Sequence, residues 1–247
     1  MNPVTPTSAQ GDAKADEFDA RRYFDGGVAE RYDQGIRLSC PSYDALHQML
    51  FPVLRLLPPG ARFLSVGAGT GAEILCLAPR FPGWSFAGVD VSTDMLEVCR
   101  QRLAQAGLSH RVVLHAGRLG DFSPEQPFDG ASSIFVAHFI KGREEKLAYL
   151  RAIAAKLKPG ATLVLADLFG KKGSPEFVRL MQAWLLYYTS HGVIAEKLAR
   201  DLQLILQDIA FVPEDELFAL LNEAGFANPV RFYQTFLFGG WIATRRE

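Results

Sequence analysis

From about residue 61 the chain alternates short apolar runs with segments whose apolar residues recur at helical spacing. The run "ARFLSV" starts behind "PPG" and ends at a glycine cluster, and "GAEILCLAPRF" continues with a helical pattern, which predicts strand, tight turn and helix. "WSFAGVDVS" repeats the strand signal, and "STDMLEVCRQRLAQAG" reads as a helix with its N-cap at Ser92 or Thr93 and its stop at Gly107. "HRVVLHA" and "DGASSIFVAHFI" read as two further buried strands. The second feeds "REEKLAYLRAIAAKL", where Leu147, Leu150, Ile153, Ala154 and Leu157 share a face. "KPG" ends that helix, and "ATLVLADLF" is a fifth apolar strand. Alternation of this kind predicts an α/β fold with a doubly wound, mainly parallel sheet covered on both faces.

Two segments break the rhythm. After the fifth strand, Ser174-Pro175-Glu176 starts a helix running to Gly192, and "VIAEKLARDLQLILQDI" continues in helical character, giving a helical insertion at about 170–212. "PEDELFALLNEAG" makes one more helix, and "VRFYQTFLFGGWIATRR" predicts a C-terminal antiparallel hairpin turning around Phe238-Gly239-Gly240, for seven strands in all. Before the first strand, residues 18–57 read as a helical cap with breaks at Gly26-Gly27 and Pro41. Residues 1–17 have the composition of a flexible N-terminus without signal-peptide regions, and 58–247 hold the α/β domain.

Composition narrows the classes. A net charge of -1 with interspersed signs leaves no footprint for nucleic acid, and no apolar stretch calls for a membrane. Three cysteines, Cys40, Cys76 and Cys99, with no CxxC, fit a reducing compartment, so a cytoplasmic location is expected. The five histidines form no metal-ligand spacing with cysteines or carboxylates, and no metal is expected. The expected partner is a small-molecule substrate, with a homodimer open.

The glycines Gly67, Gly69 and Gly71 sit where a strand turns into a helix, and such a turn lets a ligand approach the main chain. Their spacing also fits dinucleotide-binding folds, so alone it does not choose a ligand. Asp90 closes the second strand about twenty residues later, where an acid accepts from ribose hydroxyls or caps the next helix.

With "LSVGAGTGAE", "GVDVSTDML", "FDGASSIFVAHF" and "KLKPGATLVLADL", the chain resembles the class I S-adenosylmethionine-dependent methyltransferases over roughly residues 60–170. The resemblance implies S-adenosyl-L-methionine as cofactor, with Gly67, Ala68, Gly69 and Gly71 against its methionine part and Asp90 on the ribose. It also implies that Gly117, Arg118 and Leu119 flank the adenine, and that Val91, Met95 and Phe135 line the same site. Ser65 and Arg118 stand where many relatives carry acids. Both ends of the chain are also similar to carboxy-S-adenosylmethionine synthases, which carboxylate the cofactor's methyl group using prephenate. Tyr43 matches a tyrosine that packs near the cofactor there, but that family's carboxylate-binding arginine falls on Gln203, with Arg200 a turn earlier. A carboxylate without its arginine is expensive in a poorly solvated site, so methyl transfer to a small molecule is the favoured expectation and the carboxylating reaction the alternative. A nicotinamide-dependent dehydrogenase is a distant third.

His138, at the end of the fourth strand, is the candidate general base, and it reads equally as a residue packed beneath the cap. His47 reads as structural. Tyr23 and Tyr32 in the cap and Tyr187 and Tyr188 in the insertion are candidate walls of the substrate pocket, against the alternative of core packing.

Overall fold

A computed structural model of the chain describes residues 24, 26–193 and 195–247. Tyr23 and the expected flexible segment 1–17 lie outside the described residues. The cap consists of α1 (Gly26–Ala29), α2 (Tyr32–Ser39) and α3 (Tyr43–Leu54). The alternating part follows as β1 (Arg62–Val66), α4 (Ala72–Leu77), β2 (Ser85–Asp90), α5 (Thr93–Gln105), β3 (Val112–Ala116), β4 (Phe128–Ile134), α6 (Arg143–Ala154) and β5 (Leu157–Leu168). The insertion is α7 (Pro175–Ser190) and α8 (Ala195–Gln207); α9 (Glu214–Glu223), β6 (Phe226–Thr235) and β7 (Phe238–Arg245) complete the chain. Among the described residues no helix is long and apolar enough to cross a membrane.

One sheet runs β3-β2-β1-β4-β5-β7-β6, with β1 to β5 parallel and the last two strands antiparallel. Successive side chains of a strand face opposite ways, and both faces here are covered. Phe63 packs with Leu46, Leu50, Ile74 and Leu77 of α3 and α4. Leu64 and Val66 pack with Leu147, Leu150 and Leu220 of α6 and α9. The chain leaves β1 toward β2 on one side and meets β4 on the other. That divergence opens a crevice beyond the carboxyl end of β1, the place where such sheets bind ligands.

The capping signals act where the sequence puts them. Ser92 Oγ accepts from Met95 N at 3.2 Å, and Ser174 Oγ accepts from Phe177 N at 3.1 Å ahead of Pro175. Three local expectations differ from the structure. Gly26-Gly27 begins a short helix instead of breaking one, and the break falls at Glu30-Arg31. The fourth strand stops at Ile134, because Phe135 takes a φ of 59° and the chain then enters a single 3-10 turn, Ala137–Phe139, which carries His138. The hairpin turns at Phe236-Leu237, one step before the predicted glycines. Gly239 lies inside β7, where a Cβ would meet the Trp241 ring at 2.4 Å and Phe169 at 2.9 Å, so it makes room for aromatics.

Candidate active site

The glycine loop caps the crevice. Gly67 N and Ala68 N donate to Val89 O at 2.8 and 3.1 Å, which turns the chain sharply out of β1. Gly67 and Gly71 have φ of 69° and 85°, and a Cβ on them would meet Val136 Cγ2 at 2.2 Å and Cys99 Sγ at 2.7 Å. At these two positions, then, the protein's own neighbours exclude side chains.

Asp90, at the end of β2, accepts from Gly69 N at 2.8 Å through Oδ2 and from Ser92 N at 2.9 Å through Oδ1. It therefore ties the loop to the start of α5. Burial pushes its carboxyl up, and these backbone donors oppose that. Met95 Cε lies 3.3 Å from where a Cβ of Gly69 would stand, and Gly117 N donates to Asp90 O at 2.8 Å. Val91 beside it is half-buried, Leu119 is buried, and Arg118 is exposed.

Gly67, Ala68, Gly69 and Thr70 line a cavity of about 30 Å³ together with Tyr32, Tyr43, His47, Glu73, Ile134 and Phe135. Five residues expected at the cofactor, Tyr43, Gly67, Ala68, Gly69 and Phe135, thus meet at one cavity, and Tyr32 of the expected substrate wall joins them. The space equals that of a single water in the liquid, so α2 has to move before a nucleoside-sized ligand enters. Thr70 Oγ1 donates to Asp33 Oδ1 at 2.6 Å, Arg102 pairs with Asp33, and Ser92 Oγ donates to Phe24 O at 2.8 Å. These bonds hold α1 and α2 over the loop.

His138 and Asp167 form a buried pair, with Asp167 also accepting from Leu168 N at 3.0 Å. A carboxylate only accepts, so the proton of this bond sits on Nδ1. The imidazole packs against Phe139 at 4.2 Å and reaches Phe135 at 6.5 Å, and the insertion holds it from behind through Ala210 N donating to His138 O at 2.8 Å. Lys146, buried nearby, donates to Ala137 O, and burial lowers its ammonium pKa. Asp167 escaped the sequence reading. Its signal was an acid inside the apolar run "ATLVLADLF", since a buried acid needs a partner.

The insertion tyrosines do not line this cavity. Tyr188 is buried and donates to Asp201, joining α7 to α8, while half-buried Tyr187 stacks on His191 with ring centres 4.0 Å apart. Arg200 and Gln203 lie exposed on the outer face of α8, and Gln203 Nε2 donates to Gln207 Oε1 at 3.4 Å.

Residues 64–163 match the family model described as a methyltransferase domain. The carboxy-S-adenosyl-L-methionine synthase of Chromohalobacter salexigens is 27% identical over 230 residues, covering 89% of this chain and 82% of the relative. The ubiquinone/menaquinone biosynthesis C-methyltransferase UbiE of Geotalea daltonii is 27% identical over 206 residues, covering 76% and 84%. Among solved structures, the mitomycin 7-O-methyltransferase MmcR superposes with a TM-score of 0.64 at 20% identity, over 91% of this chain but 59% of that longer one. The sheet order, the loop that bends out of β1 and these relatives all fit a class I S-adenosylmethionine-dependent methyltransferase.

Proposed function

We propose that the chain transfers the methyl group of S-adenosylmethionine to a small-molecule acceptor. The observation that carries this reading is the lining of the cavity on the glycine loop, which among the described residues holds Glu73, His47 and two tyrosines but no lysine or arginine. A carboxylated cofactor would need a cationic partner near its new group; the position aligned with that role is Gln203, and both it and Arg200 a turn earlier are exposed on α8 and do not line this cavity. Similarity to a carboxylating enzyme at 27% identity therefore does not bring its reaction with it.

Gly67, Ala68 and Gly69, with Tyr43 and Phe135, would hold the methionine part. Asp90, with Val91 and Met95, would hold the ribose, and Gly117, Arg118 and Leu119 the adenine. The fit rests on the glycine loop lining the cavity and on Asp90, whose oxygens keep lone pairs beyond the backbone bonds they accept. When bound, the cofactor supplies an electrophilic methyl on a sulfonium, a very good leaving group. The protein's work is alignment and exclusion of water. Asp167 fixes the His138 tautomer, and Nε2 takes the proton of the acceptor's nucleophile. The cap and the insertion close over the crevice and select the acceptor.

The test supplies the protein with S-adenosylmethionine and either prephenate or a panel of phenols, amines and activated carbon acids, and reads products by mass spectrometry. S-Adenosylhomocysteine together with a methylated acceptor is expected. A carboxylated cofactor formed from prephenate at an enzymatic rate would reverse the reading.

A further inference from the structure

Among the described residues, two buried polar groups beside the glycine loop, the Glu73 carboxyl and His47 Nε2, have no hydrogen-bond partner in another residue. Glu73, in the first turn of α4, is 4% exposed, and among the described residues its carboxyl forms no ion pair and is met only by its own backbone N–H. His47, 6% exposed, donates Nδ1–H to Tyr43 O at 2.9 Å, which leaves Nε2 buried, with a lone pair and no partner. Both line the same cavity of about 30 Å³ as the loop. The neighbouring acids are already engaged: Asp33 by Thr70 and Arg102, Asp90 by the Gly69 and Ser92 amides. Among the described residues the cavity therefore offers the Glu73 carboxyl and His47 Nε2 as acceptors not taken up by another residue, and no cation lines it. A buried carboxyl without compensation is costly, and where it faces a ligand site the ligand is the natural source of the missing charge.

We propose that Glu73 and His47 form the seat of the α-ammonium group at the amino-acid end of the cofactor, which rests on the reading that the loop takes S-adenosylmethionine. A primary ammonium carries three N–H donors. One meets the Glu73 carboxylate with opposite charge, and a second meets His47 Nε2. The volume suits a group of that size.

Burial, with Asp90 and Asp33 as like-charged neighbours, pushes the Glu73 carboxyl up to about 8, so the ligand-free protein holds a proton there at pH 7. An ammonium favours the carboxylate, and the proton leaves to solvent as the ion pair forms. The other groups facing Glu73 stay silent. Tyr32 from α2 and Tyr43 from α3 are pushed up by burial, as are Cys76 on the same helix and Cys99 on α5, while burial lowers His47 and keeps it neutral.

Calorimetry of the full chain with S-adenosylhomocysteine at pH 7, in two buffers of different ionisation enthalpy, reads this directly. About one proton should be released per ligand bound. 5′-Methylthioadenosine, which lacks the amino-acid end, should release none. Glu73→Gln should bind S-adenosylhomocysteine at least about tenfold more weakly and without proton release. The wild-type comparison decides even where the variant does not fold. Binding without release, equal release with methylthioadenosine, or a folded Glu73→Gln with unchanged affinity overturns the Glu73 assignment alone. Failure of the wild type to bind S-adenosylhomocysteine removes the cofactor reading and this inference with it.

Discussion

Helix α2 of the cap buries none of its residues, whereas α7 of the insertion buries Phe177, Met181, Trp184 and Tyr188. The first is held over the glycine loop by the Asp33 bonds to Thr70 and Arg102, supplemented by the Ser92 bond to Phe24. The second is fixed by aromatic packing, with Trp184 edge-on to Phe238 at 4.9 Å and Phe177 to Phe211 at 4.9 Å. The two meet where Trp184 Nε1 donates to Ser39 O at 2.6 Å. Partly solvated ion pairs and hydrogen bonds exchange for water at low net cost, and buried aromatic surface does not. The difference assigns the segments different work: the insertion is a wall, and α2 is the part able to leave so that a nucleoside enters.

Breaking the wall should cost most. Trp184→Ala is expected to lose about 3–5 kcal/mol of global stability, the range for emptying a large buried side chain. Urea unfolding checks it, and a loss below about 1 kcal/mol would mean that the insertion is not part of the folded core. Asp33→Ala acts on the other side of the comparison. It removes the two charge-assisted contacts that tie α2 to the loop and to α5, with Thr70 and Arg102, and should lower the cost of opening α2 by about 1–2 kcal/mol, with global stability much less changed. Hydrogen exchange should then show faster amides across residues 32–39 while those of α7 keep their protection. Uniform acceleration across both helices would show that cap and insertion open as one.

How much of this was readable beforehand depends on whether a residue's neighbours in space were also its neighbours in sequence. The glycine loop, the Ser92 and Ser174 caps and the parallel core follow from local patterns, since each is completed within a few residues or by a repeated period. Gly239-Gly240 has the composition of a turn, yet distant rings, Phe169 among them, decide its place inside a strand. Glu73 reads as an ordinary first-turn acid, favoured there by the helix dipole, and its burial beside Tyr32, Tyr43 and His47 depends on cap residues distant in sequence. His47 was legible as buried, but its lone Nε2 depends on the Tyr43 carbonyl that Nδ1 takes. Asp167 was hidden by the apolar residues around it, and its partner stands 29 residues away in sequence.

Raising the pH sharpens the comparison from beneath the cap. Glu73 holds its proton more tightly folded, at about 8, than unfolded, at roughly 4.3. The stability it contributes is full below the lower value and falls as pH rises toward the upper one. His47 is lowered by burial, so its own contribution varies only below its ordinary value near 6.5, and the window from pH 7 to 8 isolates Glu73. The ligand-free protein should lose about 1 kcal/mol of stability across that unit. Protection of α2 should fall with it, because the new charge lies beside Asp33 and Asp90. Glu73→Gln should flatten the profile, and an equally steep slope in that variant would assign the titration elsewhere.

The smallest effect is expected at Tyr187. Its ring stacks on His191 and lies 5.9 Å from Phe236, while its carbonyl accepts from His191 Nδ1 at 2.8 Å, all at the far end of α7 from the Ser174 cap. None of these contacts reaches the glycine loop, and the side chain is only half-buried. Tyr187→Ala should therefore leave S-adenosylhomocysteine affinity within about 0.5 kcal/mol, the range for changes remote from a ligand. If the insertion is the acceptor's wall, the same variant should lower turnover or shift preference among acceptors, because an aromatic face is lost where a second substrate is bounded. Tyr188→Ala, by contrast, should act through stability, since that tyrosine is buried and bonded to Asp201. A folded Tyr187→Ala with wild-type turnover and selectivity would leave the insertion a wall for the core alone, and acceptor choice would then rest with the cap.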